Sequence, residues 1–83
     1  MKILYFSWIR EKIGKNSEEI DKPKEIINVA DLVNHLKNSS KHHSDALNNM
    51  KIVRIAVNQN FSDLKTKINN EDEVAFFPPV TGG

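Results

Sequence analysis

A chain of 83 residues with a formal charge of +1 makes one domain, because so short a polymer buries only about 60–65% of the surface its unfolded form exposes and cannot divide that between two cores. Lysine and arginine are interleaved with aspartate and glutamate, so no one-signed patch that would neutralise a phosphate backbone is expected, and no nucleic-acid partner with it. There is no cysteine, which excludes a disulfide framework, a thiolate metal site and a cysteine nucleophile.

The first run, Lys2 to Trp8, is β-branched and aromatic and reads as a strand with Ile3, Tyr5 and Ser7 on one face and Leu4, Phe6 and Trp8 on the other. Apolar groups on both faces predict an interior strand. Arg10, Glu11 and Lys12 break the apolar run well before the length of a secretory core or a membrane span, so a cytoplasmic protein with no membrane partner is expected. Ile9 and Ile13 stand four apart and Gly14 follows, which predicts a helical turn or two closed by a left-handed glycine. Glu18 to Ile27 reads as a polar strand, and Pro23, lacking an amide donor, assigns it to an edge.

The strongest helix signal begins at Asn28, which can cap the first turn, with Asp31 near the positive end of the dipole. Val29, Leu32, Val33 and Leu36 follow the i, i+3, i+4, i+7 rhythm and gather on one stripe. "KNSSKHHSD" ends the pattern with turn-favouring residues, so the stretch through Met50 is expected to be mobile, with a weak helical turn at Ala46, Leu47 and Met50. From Lys51 the period becomes two: Val53, Ile55 and Val57 point one way, Arg54, Ala56 and Asn58 the other. "NQN" predicts a hairpin turn, with Phe61 resuming an apolar position. "NNED" turns the chain again, and "EVAFF" is the last strand before Pro78 ends any ladder. The order predicts an α+β domain, a mixed β-sheet packed against one main helix.

The strand "RIAVNQN", the ending "DEVAFFPPVTGG", the opening "ILYFSWIREKIG" with its Arg10-Glu11 turn, and the helix "NVADLVNHL" together resemble the small subunit of molybdopterin synthase, the MoaD-type sulfur carrier. A C-terminal Gly-Gly alone is a weak signal; the combined ending is far more specific, and the likeness spans the chain apart from a weak stretch from Lys37 to Met50. Trp8 is bulkier than the family pattern leads one to expect. The resemblance implies a ubiquitin-like β-grasp over residues 1–77 and an extended, flexible Gly-Gly tail over 78–83.

It also implies a chemistry. A chain without cysteine can carry sulfur on its terminal carboxyl carbon. By resemblance, Gly83, presented with Gly82, is adenylylated by a ubiquitin-activating-type adenylyltransferase that uses ATP and magnesium, and a persulfide converts the acyl adenylate to a thiocarboxylate. That sulfur goes to a cyclic pyranopterin monophosphate on the large subunit, two loaded chains per dithiolene. No cofactor stays bound to this chain, which is a non-catalytic donor in a heterotetramer. The tail suits the task physically: Gly82 and Gly83 lack Cβ atoms, Pro78 and Pro79 fix φ and hold the tail extended, and the stretch from Pro78 can reach roughly 20 Å at about 3.3–3.6 Å per residue.

Phe6, Arg10, Phe76, Pro78, Pro79, Val80 and Thr81 are the expected partner contacts by the same resemblance, since one helix cannot cover both faces of an apolar sheet and an exposed apolar patch marks a partner site. For Phe6, Phe76 and Phe77 core packing is the competing reading, and Arg54 reads as a solvated charge that can also serve as a rim contact. His35, His42 and His43 read as solvated, with no ligand set for a metal. Asp72 and Glu73, adjacent in a turn, are not paired acids, and Asn58 and Gln59 fix the hairpin. The alternatives are a thiazole-pathway sulfur carrier, typically shorter and without the Phe-Phe-Pro-Pro run, a ubiquitin-like protein modifier, and a binding module with an inert tail.

Overall fold

The structure, a computed structural model, describes residues 1–79. Five strands, β1 (Lys2–Tyr5), β2 (Ser17–Glu19), β3 (Arg54–Val57), β4 (Asn60–Ser62) and β5 (Glu73–Phe77), form one sheet in the order β2-β1-β5-β3-β4. The β1–β5 pair is parallel and the other three are antiparallel. Three helices, α1 (Ser7–Ile13), α2 (Val29–Ser39) and α3 (Lys41–Ala46), and a 3-10 turn at Met50–Ile52 complete the domain. The expected mixed sheet under a principal helix is what forms.

Period-two alternation sorts the sheet into two faces. Ile3 and Tyr5, Ile55 and Val57, and Val74 and Phe76 point into the core, where Val29, Leu32, Val33 and Leu36 of α2 and Ile9 and Ile13 of α1 meet them. α2 starts where the sequence places it, through a full capping box: Asn28 Oδ1 accepts from Asp31 N at 2.9 Å and Asp31 Oδ2 accepts from Asn28 N at 3.3 Å. Its next orphan amides are taken by the loop after β4, Val29 N donating to Thr66 O and Ala30 N to Leu64 O.

Four expectations need correction. The first strand ends at Tyr5 and Trp8 lies in α1, because Ser7 takes φ 57° and a single left-handed residue breaks the extended run. β2 covers only Ser17–Glu19, although it lies on the predicted edge. The stretch expected to be mobile contains α3, capped by Ser40 Oγ, which accepts from His43 N at 3.1 Å, with Ala46 and Leu47 buried below it. Phe76, expected at a partner surface, is fully buried and packs 6.1 Å from the Tyr5 ring. Its parity on β5 puts it on the helix-covered face.

The β3–β4 hairpin turns as predicted. Asn58 and Gln59 both take positive φ, 51° and 69°. The Asn58 amide fastens the turn to β5, its Nδ2 donating to Asp72 Oδ1 at 2.9 Å and its Oδ1 accepting from Glu73 N at 3.0 Å.

Candidate docking face and tail root

The face of the sheet opposite the helices is uncovered, and register decides what it displays. Leu4 pairs with Ala75, Ala75 with Ala56, and Ala56 with Phe61, giving one apolar row across four strands. One row toward the end of β5, Arg54 pairs with Phe77; at the opposite end Lys2 pairs with Glu73. The face therefore grades from polar at the start of β5 to aromatic at its end.

That aromatic end is built from residues far apart in the chain. Phe61 is 85% exposed on the edge strand β4, and its ring lies 6.0 Å from that of Phe77, the diagonal reach of large side chains on neighbouring rows. Phe6, 45% exposed, follows β1, and its amide donates to Phe76 O at 3.1 Å, tying the two strand ends together. Pro78 and Pro79 leave β5 here, half-buried. Pro79 shares a depression of about 410 Å³ with Arg54, Phe61 and Phe77. A large exposed aromatic costs hydrophobic free energy, about 25 cal/mol per Å² of apolar surface left in water, and a patch of such groups marks an interaction surface.

Among the expected contacts, Phe6, Pro78 and Pro79 thus come together. Arg10 does not join them: it is exposed on α1, 3.7 Å from Glu11, and lines a separate depression with Gly14, Lys15 and Asn16. Phe76 is a core residue, as described. Val80, Thr81, Gly82 and Gly83 lie outside the described residues. Phe77, for which core packing competes with contact in the sequence, lies on the open face, and Phe61 beside it is a contact that the sequence does not single out. The signal was present in the alternation of "EVAFF", where Val74 and Phe76 share one parity and Ala75 and Phe77 share the other, but without a strand order neither parity can be assigned to the open face.

A second constellation lies on the helical side. Tyr5 Oη donates to Glu18 Oε2 at 2.7 Å, His43 Nε2 lies 2.7 Å from the same oxygen, and Ser40 Oγ lies 2.6 Å from His43 Nδ1. His43 is buried, which corrects the expectation that all three histidines are solvated; His35 and His42 are exposed. All four groups are satisfied when Nε2–H donates to Glu18 and Nδ1 accepts from the Ser40 hydroxyl. Burial pushes the Glu18 carboxyl up, but the hydrogen bonds it accepts from Tyr5 and His43, with the charge of Lys15 nearby, outweigh it and leave the group below its ordinary range. Burial, followed by the bond to Glu18 and its charge, raises the Tyr5 phenol.

Serine, histidine and glutamate in line invite comparison with a hydrolytic relay. Ser40 Oγ, however, is also the cap of α3, so an acyl group on it would remove the cap. The network holds α3 against the β1–β2 edge. Among the described residues no group of three or more His, Asp or Glu can hold a metal ion, and no helix is long and apolar enough to cross a membrane.

A model of the ThiS family matches residues 3–83. The molybdopterin synthase sulfur carrier subunit of Dictyostelium discoideum is 39% identical over 84 residues, covering 99% of this chain and 94% of that protein. The protein of the same name from Escherichia coli (strain K12) is 36% identical over 83 residues, covering 100% and 99%. Among solved structures, SAMP1 from Haloferax volcanii superposes with a TM-score of 0.78 at 23% identity, covering 100% of this chain and 98% of that one, a likeness of fold.

Proposed function

The chain belongs to the ThiS family, and from that premise we propose that it is the sulfur-carrying subunit of a molybdopterin synthase, presenting sulfur on the carboxyl carbon of Gly83. The observation that carries this reading is geometric: β5, the middle strand of the sheet, delivers Pro78 and Pro79 to the aromatic end of an uncovered face. A partner seated on Phe6, Phe61 and Phe77 thereby receives the root of the tail in a fixed direction. The whole-length likeness to sulfur carrier subunits supports the same assignment.

The chemistry asks little of this chain's side chains. An activating enzyme of the adenylyltransferase type, using ATP and magnesium, would join AMP to the Gly83 carboxylate with release of pyrophosphate. Sulfur at the oxidation level of hydrosulfide would then displace AMP, leaving a thiocarboxylate. Its sulfur is the softer, stronger nucleophile near neutral pH. In the synthase it would attack a carbon of a cyclic pyranopterin monophosphate held by the large subunit, displacing oxygen there, and hydrolysis of the acyl–sulfur bond would leave the sulfur behind and restore the carboxylate. Each chain gives one sulfur, so two loaded chains are used per dithiolene. The contribution of this protein is placement: one atom brought within about 3–3.5 Å of an electrophile, on a tail whose prolines lower the entropy lost on threading.

Mass spectrometry of the intact protein taken from cells tests the reading. A fraction with one terminal oxygen replaced by sulfur is expected. Branched conjugates to lysine would replace it with a protein modifier, and an unmodified terminus under molybdenum-cofactor demand would leave a binding module.

A further inference from the structure

Arg54 occupies a position that the sulfur-carrier chemistry does not use. Its side chain is exposed at the start of β3, directly opposite Phe77, and belongs to two adjoining depressions. On one side lie Phe61, Phe77 and Pro79 in the space of about 410 Å³. On the other, Met50, Val53 and Leu64, with Ser62 and Asp63 at its polar side, line a smaller one of about 180 Å³. The guanidinium, with its five donors, makes one hydrogen bond, Nη1 to the Lys51 carbonyl at 3.4 Å, and no ion pair among the described residues. Asp63 lines the smaller depression beside it without pairing with the guanidinium among the described residues; its Oδ1 accepts from Lys65 N at 2.8 Å and from Thr66 Oγ1 at 3.4 Å.

We propose that Arg54 and its two flanking depressions form a specificity subsite for a carboxylate on the partner protein, an Asp, Glu or chain terminus flanked by aliphatic side chains. The inference rests on the reading of the aromatic face as a docking surface. Any partner that covers Phe61 and Phe77 removes Arg54 from water as well, because the three share one depression. A guanidinium taken out of water without a counter-charge opposes binding strongly. Pairing it with a carboxylate, which the planar fork can meet through two parallel bonds, reverses the sign and adds a directional requirement. The aliphatic flanks follow from the apolar part of each lining, Phe61, Phe77 and Pro79 on one side and Met50, Val53 and Leu64 on the other. The subsite discriminates among proteins able to cover an aromatic patch: one without the carboxylate is rejected by a desolvated charge.

The test titrates the full chain with the large subunit of molybdopterin synthase from the same cell, by calorimetry at low and at high salt. Wild type, Arg54→Gln, Arg54→Lys and Phe61→Ala are compared after each is shown to melt as the wild type does. The expected result is a loss of tenfold or more in affinity for Arg54→Gln with a flattened salt dependence, and a smaller loss for Arg54→Lys, which keeps the charge without the fork. Unchanged or tighter binding by Arg54→Gln, with Phe61→Ala weakened, overturns the carboxylate subsite and leaves the docking face standing. Wild-type affinity in both Arg54→Gln and Phe61→Ala removes the docking face, and the subsite with it.

Discussion

His43 Nε2 lies 2.7 Å from Glu18 Oε2 although 25 positions separate them in the chain. This contact joins α3 to the edge of the sheet. Glu18→Gln keeps an oxygen able to accept from both Tyr5 and His43 but removes the negative charge that strengthens those bonds, an effect of about 1 kcal/mol for each bond. In a domain of this size that is a fall in Tm of about 4–8 °C per kcal/mol. The pH dependence has a definite sign. Because the folded carboxyl titrates below the ordinary value of 4.5, its contribution is complete above that value and is lost as the pH falls below it and through the folded pKa. Thermal melts from pH 7 to pH 3 are expected to show wild type and Glu18→Gln converging at the acid end. Parallel curves would assign no such role to the carboxylate.

Phe61 and Phe76 are both aromatic strand residues, and they are expected to respond oppositely. Phe61, 85% exposed, can become aspartate with stability changed by no more than about 0.5 kcal/mol, while association with the large subunit weakens. Phe76→Ala empties a site in the core and costs about 3–5 kcal/mol, a large part of the 5–15 kcal/mol typical of a whole domain. Urea denaturation measures the first quantity and pull-down with the large subunit the second. Normal folding of Phe76→Ala would contradict its place under α2.

Gly14 closes α1 at φ 89°, its amide donating to Arg10 O at 2.8 Å. A Cβ built there meets nothing within 4 Å, so any penalty for alanine is conformational. Gly14→Ala is expected to cost about 1 kcal/mol, and Gly14→Asn less, since asparagine tolerates the left-handed region. Chemical denaturation of the two variants side by side checks the order.

Extending the chain by one residue after Gly83, or deleting Gly83, is expected to abolish sulfur transfer while the melting curve stays that of the wild type. The reacting carbon is then displaced or blocked, and effective molarity collapses with misplacement on the ångström scale. Dithiolene formation in a reconstituted synthase is the readout. Activity retained by either variant would move the reacting group away from Gly83.

Much of this protein is written in local pattern. The capped start of α2 at Asn28, its Val29-Leu32-Val33-Leu36 stripe, the period of two at Val53-Ile55-Val57, the glycine stop at Gly14 and the Asn58-Gln59 turn are all carried by residues within a few positions of one another, and each forms as its own neighbours dictate. The ending "DEVAFFPPVTGG", on which the proposed chemistry rests, is local pattern in the same way. What local pattern left open was decided by pairing across the chain. Whether Phe76 or Phe77 is core depends on which face of β5 receives α2, and a shift of one residue in register exchanges them. His43 sits in a stretch composed like a loop, and becomes a buried group because Tyr5 of β1 and Glu18 of β2, distant in the chain, face it from the helix-covered side of the sheet and satisfy it. Phe61, Phe77 and Arg54 become one surface only when β3 lies between β4 and β5. Local propensity is a property of neighbours along the chain, whereas the side of a sheet on which a residue falls is a property of the strands beside it.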